Sequence, residues 1–224
     1  MFSVIFEVHP IPERKEDYLA LAKYLKPKLE MIDGFVDNER FASQRREGWI
    51  LSHSTWRDEK SVVRWRSLGE HHEAQQKGRK EIMRDYHLRV GDVISDTAPP
   101  AQAPIKEQRF DETEVGKARY VSFTEVVPHG DSTFGSQAGS VPAHLGMLPH
   151  TRGYIEHDVF ESIYSPGKVA LLTSWGSAED AKSWRPRRFE GVKEMRHRVV
   201  RVVRDYGMFD RREAPQYYPQ AEHR

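Results

Sequence analysis

The stretch W-R-D-E-K-S-V-V-R-W-R-S-L-G-E-H-H-E-A-Q-Q-K-G-R-K-E-I-M-R-D-Y, residues 56–86, decides the fold, because most of it has a counterpart later in the chain. Trp56 and Trp65 stand nine apart, as do Trp175 and Trp184, and each pair leads to an Arg-Asp-Tyr triplet, at 84–86 and at 204–206. Upstream, Glu7-Val8-x-Pro10 pairs with Glu125-Val126-x-Pro128, Gly34-Phe35 with Gly153-Tyr154, and Phe41 with Phe160. The offset drifts only from 118 to 120, so one unit is written twice with few insertions. A period near 119 exceeds the roughly 20–50 residues of a solenoid repeat and suits two domain-sized copies.

The 224 residues can bury one large core or two modest ones, and the repeat favours two. With 35 basic and 34 acidic side chains the net charge is +1, which gives no field that would draw nucleic acid or an anionic membrane. The apolar runs are strand-sized, well short of the ~20 residues of a spanning helix. The opening M-F-S-V-I-F-E-V lacks a basic region and a cleavage site. There is no cysteine, so disulfides, thiolate catalysis and cysteine-ligated zinc are excluded. The expectation is a soluble, cytoplasmic protein.

Ser3 to His9 alternates as a strand does, with Val4, Phe6 and Val8 on one face. From Glu13 the apolar positions follow helical spacing to Ile32, and Pro27 predicts a kink or an early end near Lys26. Residues 35–45 and 49–56 read as a hairpin turned at Arg46-Glu47-Gly48. Asp58 is the expected cap of a short helix carrying Val62 and Trp65, and Ser177-x-x-Asp180 takes the same place in the second copy. A longer helix is predicted over 70–85, then a strand over 86–94, giving β-α-β-β-α-β, the ferredoxin-like order. In the second copy, glycine and proline between Pro128 and Gly153 leave room for a turn or two of helix around 143–148. The glycine-rich Gly135 to Gly139 lacks the features of a phosphate loop and reads as a flexible lid or a long loop. The stripe Phe189, Val192, Met195, Val199, Val202, Tyr206 predicts a second long helix. The domain reading is 1–96, a linker or crossing arm over 97–117, 118–210, and a polar, poorly ordered tail over 211–224 onto which Tyr217-Tyr218 could dock.

The strand F-E-V-H-P, the nine-spaced tryptophans and the H-x-x-A-Q-x-x-G-R…D-Y segment resemble the antibiotic biosynthesis monooxygenase domain of the dimeric α+β barrel superfamily. The resemblance implies two ferredoxin-like units joined sheet to sheet, here as an intramolecular barrel in one chain, with a pocket for a small aromatic substrate between sheet and helices. It also implies cofactor-independent oxygenation of polyketide-like phenols or quinols, with dioxygen as co-substrate. The haem-degrading branch is similar at Trp65, which places its haem-ligating histidine near His71. That branch carries an asparagine on the first strand where this chain has Glu7, and a carboxylate and an amide do not stabilise the same species.

Several side chains are candidates for the chemistry. His71 shares a helical face with Ala74, Gln75, Gly78 and Ile82, so it is expected to face the sheet, beside space left by small residues; otherwise it bonds a strand or faces water. Glu7 recurs as Glu125 in a strand covered on both faces. It is either an inward base for a phenol or one half of an ion pair, with arginines such as Arg40 or Arg89, that fixes how the copies join. Trp65 and Trp184 fill the core or line a pocket. Phe6, Phe41, His9, His53 and Gln75 complete the expected substrate-binding set. No metal site is expected, since adjacent His71-His72 point apart and no H-x-x-x-H occurs. The functional expectation is a monooxygenase without a tightly bound cofactor, in which Glu7 or His71 deprotonates a hydroxylated aromatic held by Trp65 with Phe6 or Phe41. The alternatives are a haem-binding protein or haem oxygenase using His71, and a non-enzymatic ligand-binding or assembly module. Pairing of two chains into a homodimer is left open.

Overall fold

The computed structural model describes residues 1–130, 138–148 and 150–221. The alternating opening forms β1 (Phe2–Pro10), followed by α1 (Lys15–Glu30). Contrary to expectation, α1 runs through Pro27. Pro27 and Lys23, whose carbonyl loses its donor, both lie on the exposed side, where water replaces the missing bond. The hairpin β2 (Phe35–Ser43) and β3 (Ile50–Trp56) leads to α2 (Glu59–Arg66), capped by Asp58, which accepts the Ser61 N–H at 2.8 Å. Next comes α3 (Gly69–Lys77), which ends in a π-helical turn over Gly78–Ile82, so β4 (Met83–Asp96) starts before the point predicted.

The second half holds β5 (Tyr120–Pro128), the single turn α4 (Val141–His144), β6 (Tyr154–Ser162), β7 (Val169–Trp175), α5 (Ala178–Ser183) and β8 (Val192–Gly207). The expected glycine-rich loop lies mostly outside the described residues. Ser177 caps α5, accepting the Asp180 N–H at 3.2 Å. The predicted second long helix is instead β8. Pro186 disfavours helix at Arg185, and the β-branched run V-V-R-V-V is buried on both faces of a closed sheet, so it loses the alternation that marks an open strand.

One apparent repeat is therefore a coincidence. Glu7 pairs with His87, and Glu125 with Arg196, so the last strands correspond at an offset of 196 − 87 = 109 rather than 120. The two Arg-Asp-Tyr triplets are not equivalents. Across the β4–β8 seam the second triplet faces Leu88, Arg89 and Val90, whereas in the first Asp85 and Tyr86 lie opposite His9 and Val8 of β1.

The strands close into a barrel in the order β1-β3-β2-β6-β7-β5-β8-β4, all neighbours antiparallel. Each half lays its strands in one order, β2-β3-β1-β4 and β6-β7-β5-β8, and the halves join at β2–β6 and β4–β8. The middle of the barrel interior is apolar, centred on Ile5, Phe41, Leu51, Phe123, Phe160 and Leu172. Two matched clasps cross it. Arg89 pairs with Glu7 and donates to Ser174 at 3.1 Å; Arg198 pairs with Glu125 and donates to Thr55 at 3.1 Å. Each arginine thus binds its own half's first strand and reaches the third strand of the other half.

Gly34 and Gly153 open β2 and β6 with φ of 88° and 71°. A Cβ at Gly34 would lie 2.0 Å from Ser61 Oγ, and one at Gly153 2.3 Å from Asp180, so only glycine lets each hairpin pass its helix cap. Residues 97–119 carry no regular structure and wrap the barrel end, with Ala103 buried in its core and the Gln108 and Arg109 N–H groups donating to Asp92.

Candidate active site

The outer face of the first half carries the site. Cross-strand register lays two rows along the floor: Arg40, Ser52, Phe6, Leu88, Tyr206, and beside it Asn38, Ser54, Val4, Val90, Arg204. Five strands, β2-β3-β1-β4-β8, supply one residue each per row, so at about 4.8 Å per strand each row spans roughly 19 Å. The centre is apolar and both ends are polar. Helices α1, α2 and α3 roof it with Tyr18, Leu21, Leu25, Val62, Trp65 and His71, leaving a cavity of about 180 Å³. In the second half the equivalent space is filled, because Trp184 packs on Trp175 at 5.8 Å among Val141, Leu145 and Met147.

His71 stacks on Trp65, ring centroids 4.0 Å apart, and its Nδ1 lies 3.0 Å from the Trp65 carbonyl oxygen. A carbonyl can only accept, so Nδ1 carries the proton and Nε2 keeps the lone pair. Burial drives the His71 pKa down to about 4, against the opposing pull of that hydrogen bond, so the ring is neutral near pH 7. Burial and the neighbouring Tyr86 push the Tyr206 phenol up to about 12, and burial raises Tyr18 despite the Arg40 guanidinium beside it. Both phenols remain protonated donors.

Of the residues expected in the site, His71, Trp65, Phe6 and Gln75 line this cavity. Glu7, Phe41, His9 and His53 do not, because they stand on the opposite, barrel-facing side. Odd-numbered residues of β1 point inward, and Phe41, across the sheet, follows them. His53 stacks on Phe123 at 4.4 Å and meets Ser3 Oγ at 2.8 Å, and His9 stacks on Trp49 at 5.3 Å. Burial raises the Glu7 carboxyl, but Arg89, Arg46 and His87 pull it further down, so it lies below the ordinary carboxylate range and is no base for a phenol. The ion-pair reading of Glu7 holds, with Arg89 and Arg46 as partners rather than Arg40.

Sequence reasoning missed Asn38, Arg40, Ser52 and Ser54, whose alternation marks a strand face but not which layer covers it. It also missed Tyr206 and Arg204, taken there as helical. Residues 211–221 of the tail are docked instead of loose: Tyr218 is buried, donating to Gln75 Oε1 at 2.8 Å and stacking on His72, while Pro215 borders the cavity. Tyr217 is exposed. Among the described residues no group of three or more His, Cys, Asp or Glu converges as a metal site, and no helix is long and apolar enough to cross a membrane.

A closed α+β barrel with a ligand-sized cavity beneath the helices of its first half has the architecture of a small-molecule-binding barrel. Residues 1–77 match the family model for antibiotic biosynthesis monooxygenase. The jasmonate monooxygenase of Pyricularia oryzae is 42% identical over 226 residues, covering 99% of this chain and 100% of that protein. The chain belongs to the antibiotic biosynthesis monooxygenase family. Among solved structures, an anthrone oxidase-like protein is 15% identical, with TM-score 0.38 and 96% of each chain covered. An antibiotic biosynthesis monooxygenase is 17% identical, with TM-score 0.37, covering 42% of this chain and 100% of its own.

Proposed function

We propose that this chain is a monooxygenase of a small, ringed, largely apolar compound bound in the first-half cavity. The observation that carries the reading is the pairing of an apolar floor with a neutral, buried imidazole on a tryptophan platform. Trp65 holds a flat face of the substrate, and Phe6, Leu88 and Val90 exclude water from the reacting carbon. His71 Nε2 accepts the proton released as the substrate becomes electron-rich toward dioxygen. With a pKa of about 4 the imidazole is in the accepting form near pH 7 but is a weak base, so the substrate must itself be activated, by a ring hydroxyl or a carbonyl beside the carbon attacked. For an activated methylene the balance closes without another reductant: the carbon loses two hydrogens and becomes a carbonyl, and the second oxygen atom leaves as water.

The 42% identical relative makes jasmonic acid, a cyclopentanone acid, the first compound to test, beside naphthols and anthrones. Oxygen uptake with one of these is expected to fall at least tenfold in Trp65→Ala and in His71→Phe. Uptake indifferent to both substitutions would refute this placement of the site.

A further inference from the structure

The cavity wall is more positive than the chain's near-even balance of 35 basic and 34 acidic side chains. Four cations border it, Lys26, Arg40, Arg66 and Arg204, against one carboxylate, Glu59, which Arg109 already holds at 2.9 Å. Lys26 has Glu30 at 3.8 Å, whereas Arg40, Arg66 and Arg204 have no carboxylate within salt-bridge distance among the described residues. Arg40 is the sharpest case, at 9% exposure. Its Nη1 donates to the neutral Asn38 Oδ1 at 3.2 Å, and its Nε has no hydrogen-bond partner among the described residues. Asn38 is itself held, donating to Ser52 Oγ at 3.1 Å and to the His53 carbonyl at 2.9 Å, so the polar end of the floor is built and rigid.

A buried guanidinium without a counter-ion is costly, and here it faces a space that a ligand can enter. Of the other buried arginines, Arg89 and Arg198 each have a glutamate, and Arg79 gives its guanidinium to the Tyr86 hydroxyl and to the Met208 and Pro219 carbonyls, whereas Arg40 stands on the cavity wall with far fewer acceptors.

We propose that Arg40 is the anion anchor of the site and that the ligand is an amphiphilic monoanion, its carboxylate on Arg40 and its apolar body over Phe6, Leu88 and Val90. This deepens the monooxygenase reading and rests on it. The floor rows set the geometry: Arg40 on β2 stands two strands, about 10 Å backbone to backbone, from Phe6 on β1, a gap that the two side chains and a compact ringed acid between them fill. A fork-shaped guanidinium recognises a carboxylate with two parallel bonds, which suits the Arg40 side chain on the cavity wall to that group.

The test compares jasmonic acid with its uncharged methyl ester, titrated into the full chain by calorimetry and by tryptophan fluorescence, in wild type, Arg40→Met and Arg40→Lys. Wild type is expected to prefer the acid by on the order of ten- to a hundredfold. Arg40→Met should abolish the preference while still binding the ester, and Arg40→Lys should keep part of it. Equal binding of acid and ester by wild type, or an acid preference that survives in Arg40→Met, would overturn the anchor while leaving the cavity reading in place. Failure of both compounds to bind wild type would sink the cavity reading and the anchor with it.

Discussion

Replacing Glu7 by Gln separates a clasp from a catalytic base. Glu7 is 4% exposed and its carboxylate holds two arginines, Arg89 through one oxygen and Arg46 through the other. Arg46 keeps Asp158, at 2.7 Å, and is partly solvated, so its loss is small. Arg89 is 3% exposed and keeps only the neutral Ser174 at 3.1 Å, so it becomes an uncompensated buried charge. Removing one partner of a buried pair costs about 3–5 kcal/mol, and for a chain of this size each kcal/mol moves Tm by about 2–4 °C. Glu7→Gln is therefore expected to melt roughly 6–20 °C lower by circular dichroism. The double variant Glu7→Leu with Arg89→Met, which removes both charges, should recover most of that loss. Ligand affinity at 25 °C should be unchanged, because Glu7 faces the barrel interior and not the cavity. A Glu7→Gln protein that melts within about 2 °C of wild type yet no longer binds or oxidises the ligand would refute the clasp and return Glu7 to the chemistry.

Other outcomes follow from the same geometry. His71 and His197 both have folded pKa values near 4, below the ordinary 6.5, so in acid the unfolded chain takes up their protons first. Stability is then full above about pH 6.5 and falls by a few kcal/mol toward pH 4, read as a drop in urea midpoint that is smaller in His71→Phe; an unchanged midpoint between pH 7 and 4.5 would contradict it. Tyr218→Ala removes the bond to Gln75 that docks the tail beside the cavity, and ligand release in stopped-flow fluorescence should quicken several-fold; an unaltered rate would leave the tail without a role in retention. Hemin added to the full chain is expected to give no Soret shift that depends on His71, since the cavity beneath the helices holds only about 180 Å³; a shift abolished in His71→Ala would favour the haem reading instead.

The first half was largely legible in the sequence, because its signals are local. Period-2 alternation in β1, the turn glycine at Gly48, the Asp58 cap and the Trp56–Trp65 spacing each report on a few neighbouring residues whose sterics and hydrogen bonds are short-range. The repeated Glu7 and Glu125, Gly34 and Gly153, and the matched caps pointed to two related halves, and each pair takes matched contacts. Local patterns failed where closure of the barrel intervened. The run Val199 to Val203 is buried on both faces, so it carries no alternation, and helical spacing could be read into it by accident. The repeated Arg-Asp-Tyr was misread for the same reason, since chain order says nothing about which strands will meet at a seam. Residue choice likewise pointed to one pocket shared by Glu7, His53, Phe41 and His71. A sheet has two sides, and only the tertiary structure decides which side faces the other half and which lies beneath helices. That placement puts Glu7 in a clasp, leaves Arg40 without a counter-ion, and brings Tyr206 from the far end of the chain to the floor of the site, because a closed barrel makes its first and last strands near neighbours.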